Sequence, residues 1–171
     1  MQKDYPTEHL LSRYQSICRG LDHEATVMNN RITWAILYSA GLFAATALLI
    51  PVVSTADSTF ARGAFILVIA VVAASGAYFS RSTSMGVNAA QEQFERLVEW
   101  YQESKHQFDE MGLVRPFGSR SSHLHGNKAA HVFPRLMFAS WAAASIICFV
   151  WGFALIGHQL GAVQIPILGV V

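Results

Sequence analysis

Ile32 to Val53 reads ITWAILYSAGLFAATALLIPVV, a run of 22 residues without a charged side chain. At about 1.5 Å per residue, a helix of this length crosses a hydrocarbon core of about 30 Å. Charge stops at Arg31 and Trp34 follows just inside the apolar run. A cation and then an interfacial aromatic are what a membrane boundary selects. The fold class that follows is an all-α integral membrane protein, and the rest of the chain is placed relative to this first span.

Two more runs have the same character. Gly63 to Phe79 holds 17 uncharged residues, and Leu136 to Ile156 is apolar with Trp141 and Trp151 inside it. The spans are therefore set at 32–53, 63–80 and 136–157, with a turn at 54–62 between the first two. The tail, 158–171, is apolar but interrupted by His158, Gln159 and Pro166, and is too short to span.

The polar segments carry helical patterns of their own. In 1–31, Leu10, Tyr14, Ile17, Leu21, Ala25 and Met28 recur in steps of three and four, the stripe of an amphipathic helix. Thr7 is the expected N-cap. No breaker separates this stripe from Ile32, so one helix is expected to run on into the span. In 81–112, Val87, Phe94, Tyr101 and Phe108 form one heptad series, and Ala90, Leu97, Ser104 and Met111 the other. Glu92 with Arg96 and Lys105 with Asp109 are spaced for i,i+4 pairs, and Gly112 is the expected stop. Residues 113–135, with Pro116, Gly118, Gly126 and a cluster of serines, read as a basic loop.

Cation placement gives an orientation. Of the 12 lysines and arginines, only Arg62 lies between the first and second spans; the other eleven precede the first or separate the second from the third. The positive-inside rule then puts the N-terminus and both polar helices in the cytosol and the C-terminus outside. The start of the chain is polar and has no apolar h-region, so the first span is expected to act as its own insertion signal.

Composition narrows the function classes. Hydrophobic residues make up 53% and charged residues 13%, against about 25% charged in a soluble protein. Cys18 and Cys148 form no CxxC pair and read as reduced thiols. His23-Glu24 starts like HExxH, but Val27 holds the second histidine position; there is no P-loop and no GxSxG. The expectation is a protein that is not an enzyme, with no cofactor and no metal. The histidines His123, His125 and His131 fall short of a ligand set with a fixed second shell. No Asp, Glu, Lys, Arg or His lies within the spans, which argues against an ion-coupled carrier.

Two groups of candidate residues remain. Thr33, Tyr38, Ser39 and Thr46 give the first span a polar content that suits the lining of a pore, with Asn30 and Arg31 at its mouth. Arg115, Arg120, Lys128 and Arg135 form a cationic set that suits an anionic ligand such as a nucleotide, nucleic acid or lipid headgroup. Trp100, Tyr101 and Phe117 have rings that can stack on bases, although the heptad already accounts for Tyr101. Small residues four apart, among them Ala40/Ala44, Gly41/Ala45, Ala70/Ala74, Ala73/Ala77 and Ala139/Ala143, let helices approach closely, within one bundle or between protomers.

The run Asn29-Asn30-Arg31-Ile32-Thr33-Trp34, the preceding Asp22, and a later His123…Gly126…Pro134…Trp141 pattern resemble small bacterial multi-span membrane proteins. The order of polar helix, paired spans and second polar helix is similar to the SLATT-type and Hailong-type membrane effectors of anti-phage operons. This chain adds a third span and an apolar tail. The resemblance implies an oligomeric effector in the bacterial inner membrane that permeabilises it when a cytosolic signal is sensed. Three uncharged spans are too few to enclose a hydrated path, whereas several copies surround one. The leading expectation is thus a homo-oligomeric ion channel with lipid, itself and a cytosolic regulator or companion protein as partners. The alternative is a non-conducting scaffold that docks a soluble partner on the Val87–Met111 stripe.

Overall fold

The computed structural model describes residues 5–116 and 120–161, with side chains described for 8–116 and 130–161. Four helices account for nearly all of it: α1 Tyr5–Thr55, α2 Thr59–Glu103, α3 Lys105–Glu110 and α4 Arg120–Gln159. There is no strand among the described residues. Three helices, α1, α2 and α4, are long and apolar enough to cross a membrane. With 51 residues, α1 is about 75 Å long, more than twice what a hydrocarbon core requires. The absence of a breaker between Met28 and Ile32 has the expected consequence: polar stripe and apolar run share one helix.

The turn between α1 and α2 is tighter than 54–62, because only Ala56, Asp57 and Ser58 are non-helical. Pro51 sits in the last turns of α1, and its carbonyl accepts hydrogen bonds from Ser54 Oγ at 2.8 Å and Thr55 Oγ1 at 2.9 Å. Ser58 caps α2 by accepting from the Ala61 backbone N–H at 3.1 Å, and Arg62 Nε donates to the Ala56 carbonyl at 3.1 Å.

Three expectations about helix ends are corrected. Helix α1 already begins at Tyr5, before Thr7. Pro6 causes no break because the first turn has unpaired N–H groups in any case. The heptad segment is one helix only as far as Glu103; Ser104 is a turn residue and α3 follows. The 113–135 segment is not a loop throughout, since α4 starts at Arg120 and passes through both Gly126 and Pro134. Once a span has nucleated a helix, adding residues to its end is easy, and one Gly costs only about 1 kcal/mol. Tail residues 162–171 lie outside the described residues; Gly161, at φ +70°, follows the last turn of α4.

The chain divides into two compact units. Unit 1 is Met1–Thr33 with Thr83–Phe133, and unit 2 is Trp34–Ser82 with Pro134–Val171. The breaks at 33/34, 82/83 and 133/134 each fall two residues from a junction of charged and apolar sequence.

Unit 1 is held by the two stripes read from the sequence. Ile17 and Leu21 of α1 are buried against Tyr101 of α2 and Phe108 of α3, with Leu10, Tyr14, Phe94, Leu97, Val98 and Leu113 around them. Burying each such aliphatic or aromatic side chain stabilises the fold by about 1.5–3 kcal/mol. A second cluster joins Met28 of α1, Val87 and Ala90 of α2, and Ala130 of α4, with Ile32 at its edge. Helix α3 ends in a Schellman turn. Gly112, at φ +69°, donates to the Asp109 carbonyl and Leu113 to the Phe108 carbonyl, both at 3.0 Å. Tyr14 Oη then donates to the Val114 carbonyl at 2.6 Å, tying this turn to α1.

Unit 2 packs through small residues. Ala73 and Ala77 of α2 are buried with Trp141 of α4, and Leu42 of α1 packs against them. Ser145 Oγ donates to the Ala70 carbonyl at 3.0 Å. Gly63 and Gly152 let two backbones approach: a Cβ built on either would lie about 3 Å from the other's carbonyl oxygen (3.0 and 3.1 Å). This is the close approach that small residues permit in helices without an aqueous driving force.

Candidate functional site

Among the pore candidates, α1 separates an inward face from an outward one. Ala35 and Ser39 are buried, at 2% and 5% exposure, and Leu42 packs on the Ala73–Trp141 cluster. Ser39 therefore faces the chain's own helices. Tyr38 Oη lies 3.4 Å from Ser75 Oγ, and its ring is 4.3 Å from that of Phe79, so Tyr38 is directed at α2. Thr46 Oγ1 donates to the Leu42 carbonyl of its own helix at 2.9 Å. Asn30, Arg31 and Thr33 are exposed, and of these only Arg31 bridges to another helix.

The opposite face holds Thr33 of the pore set together with Gly41 and Ala44 of the small-residue pairs. Leu37, Gly41, Ala44 and Leu48, spaced four, three and four, are all exposed, and Thr33 precedes Leu37 by four. Nothing lies within 4 Å of a Cβ built on Gly41. In the most apolar window of α1 only 6% of residues are buried, against 39% in α2 and 17% in α4. The chain's own packing consumes the Ala70, Ala73 and Ala77 ladder of α2 and leaves Gly41 and Ala44 of α1 unclaimed. Counting helical phase outward from Ala35 and Ser39 identifies this stripe, but it needs knowledge of which face is covered.

At the charged end of the span, Arg31 Nη1 donates to the backbone carbonyl of Gly86 on α2. On α4, His131 Nδ1 is 3.1 Å from Asn88 Oδ1. These polar contacts lie beside the Met28–Val87–Ala130 cluster, so α1, α2 and α4 are joined at this level of unit 1.

Two of the four cations of the anionic-ligand set, Arg115 and Arg135, have described side chains. Arg115 is exposed in the segment after α3, within unit 1, and Arg135 is exposed on α4, within unit 2. Arg120 and Lys128 belong to α4, and their side chains lie outside the described residues, as do those of His123, His125 and Phe117. The hydrogen bond to Asp109 holds the Lys105 ammonium above its ordinary range, and Asp109's charge adds to this while the nearby Arg115 opposes it. Among the described residues, no three His, Cys, Asp or Glu side chains gather as a metal site.

The Val87–Met111 stripe is occupied. Val87, Tyr101 and Phe108 have no exposed surface, and residues of α1 cover Tyr101 and Phe108. Residues of α1 thus already cover the Tyr101 and Phe108 part of the stripe on which the scaffold alternative docks a soluble partner.

Fold and site define an all-helical protein with three helices able to cross a membrane. Compared with known proteins, the chain matches no protein-family model, no curated protein and no solved structure.

Proposed function

We propose that the chain is one subunit of a homo-oligomeric membrane channel, a membrane-permeabilising effector of bacterial anti-phage defence gated by a signal at its charged unit. One observation carries the reading: α1 leaves a continuous stripe of small and apolar residues, Thr33, Leu37, Gly41, Ala44 and Leu48, outside the chain's own packing. Small residues at helical spacing are what helices use to approach one another in lipid. Copies packed through this stripe bring their first spans together around a shared axis. Leu37 and Leu48 then supply apolar rings of the kind that gate by dewetting, and Thr33 and Asn30 form the wetter mouth, while Arg31 stays on the Gly86 carbonyl. The N-terminus and unit 1 lie on the cytosolic side, following the cation count, and the regulator is an anion.

The test is the mass of the detergent-extracted particle beside its ability to release ions from liposomes. A defined oligomer that dissipates an ion gradient supports the reading. A monomer in sealed liposomes overturns it. An oligomer that never conducts favours a scaffold, which would have to recruit its partner away from the occupied Val87–Met111 seam.

A further inference from the structure

We propose that the groove between α1 and the end of α2 in unit 1 is a binding site for a small aromatic anion. Helix α1 contributes His9, Ser12, Arg13 and Ser16, which its 3.6-residue repeat places on one face, and α2 contributes Leu97 and Trp100. Ile17, 1% exposed, forms the floor. The groove offers about 400 Å³ and is open to solvent along one side.

Its lining has two halves of different chemistry. The Arg13 guanidinium, the His9 imidazole and two serine hydroxyls supply donors for a phosphate or carboxylate. Trp100, Leu97 and Ile17 supply apolar surface on which a flat ring can lie. Trp100 remains 54% exposed because the α2 seam is built from its neighbours Leu97 and Tyr101. An indole left half in water adds little to the core, yet it stands beside the groove's cation.

A carboxylate of the chain already tests the anion position. Arg13 Nη2 is 3.2 Å from Glu103 Oε2, with the two side chains 39% and 65% exposed. An ion pair this open to solvent is weak, so an arriving anion can exchange with Glu103. Binding then replaces an α1–α2 contact with a ligand, which gives occupancy a structural consequence. That this site receives the gating signal rests on the function proposed above; the site itself does not.

The experiment titrates the full chain in detergent with adenosine monophosphate, adenosine and inorganic phosphate by calorimetry. Adenosine monophosphate is expected to bind saturably, with adenosine and phosphate each at least about tenfold weaker because each engages one half of the groove. Arg13→Gln and Trp100→Leu are each expected to weaken the nucleotide at least about fivefold, and Glu103→Gln to strengthen it by freeing Arg13. Melting curves of the variants check that unit 1 remains folded, as expected for exposed positions. No saturable binding overturns the proposal, as does equal affinity for either fragment or indifference to both Arg13→Gln and Trp100→Leu. Nucleotide binding by a protein that never conducts leaves the site standing and removes the channel. Conduction without binding does the reverse.

Discussion

Arg31 on α1 donates a hydrogen bond from Nη1 to the backbone carbonyl of Gly86 on α2, and the missing side chain at 86 lets the guanidinium lie this close. A Cβ at Gly86 would lie 2.8 Å from that nitrogen and 3.1 Å from the guanidinium carbon. The contact gives the last cation before the first span a partner in unit 1, where the Met28–Val87–Ala130 cluster also joins the helices.

Gly86→Ala therefore sets two effects against each other. Alanine gains about 1 kcal/mol of helix propensity, while displacing Arg31 loses a charge-assisted bond worth about 1.5–3 kcal/mol before solvent screening. The net change is small, so the informative quantity is the coupling with Arg31→Gln. A double-mutant cycle by denaturant unfolding in detergent is expected to give about 1 kcal/mol of non-additivity. Strict additivity would show that the contact contributes nothing.

Two large aromatic side chains of unit 1 are expected to behave oppositely. Phe108 is fully buried, and Phe108→Ala is expected to destabilise by about 3–5 kcal/mol. Trp100 is half exposed, and Trp100→Leu is expected to cost under about 1 kcal/mol. Thermal melts of the two variants decide the matter.

Glycines in unit 2 divide in the same way. Gly63→Val places its Cβ 3.0 Å from the Gly152 backbone oxygen, which cannot move as a side-chain tip can. Overpacking of about 1–3 kcal/mol is expected. A Cβ at Gly41 meets nothing in its own chain, and Gly41→Val is expected to keep the chain helical while shifting particle mass towards the monomer. Unaltered mass would show that copies do not meet along the Thr33–Leu48 stripe.

Topology has its own prediction. Cysteines placed at Asp57, in the turn between α1 and α2, and at Lys105, at the start of α3, are expected to react with an impermeant maleimide from opposite sides of the membrane. Labelling of both from one side would redraw the orientation derived from the cations.

Spans and stripes were legible because each rests on a local regularity. An uncharged run sets the length of a crossing helix, and steps of three and four set a buried face. That is why Ile17, Leu21, Tyr101 and Phe108 could be named before their contacts were known. What covers a face is a tertiary property. The α1 stripe alone does not say whether lipid, a neighbouring helix or a partner subunit covers it, and the structure pairs it with the α2 heptad. Ser39 and Tyr38 read as pore candidates because they are polar; within the chain Ser39 is buried, and Tyr38, 38% exposed, reaches Ser75 of α2. Arg120 falls in a Ser/Gly-rich stretch that resembles a loop, yet it begins a helix continuous with a span.

The most direct test of the central claim is the current through a planar bilayer holding the purified protein, measured beside the Gly41→Val variant. Discrete current steps that the variant abolishes or makes rare are the predicted result. A silent bilayer containing inserted protein, or steps of the same size and frequency from Gly41→Val, would contradict a path lined by the outer face of α1.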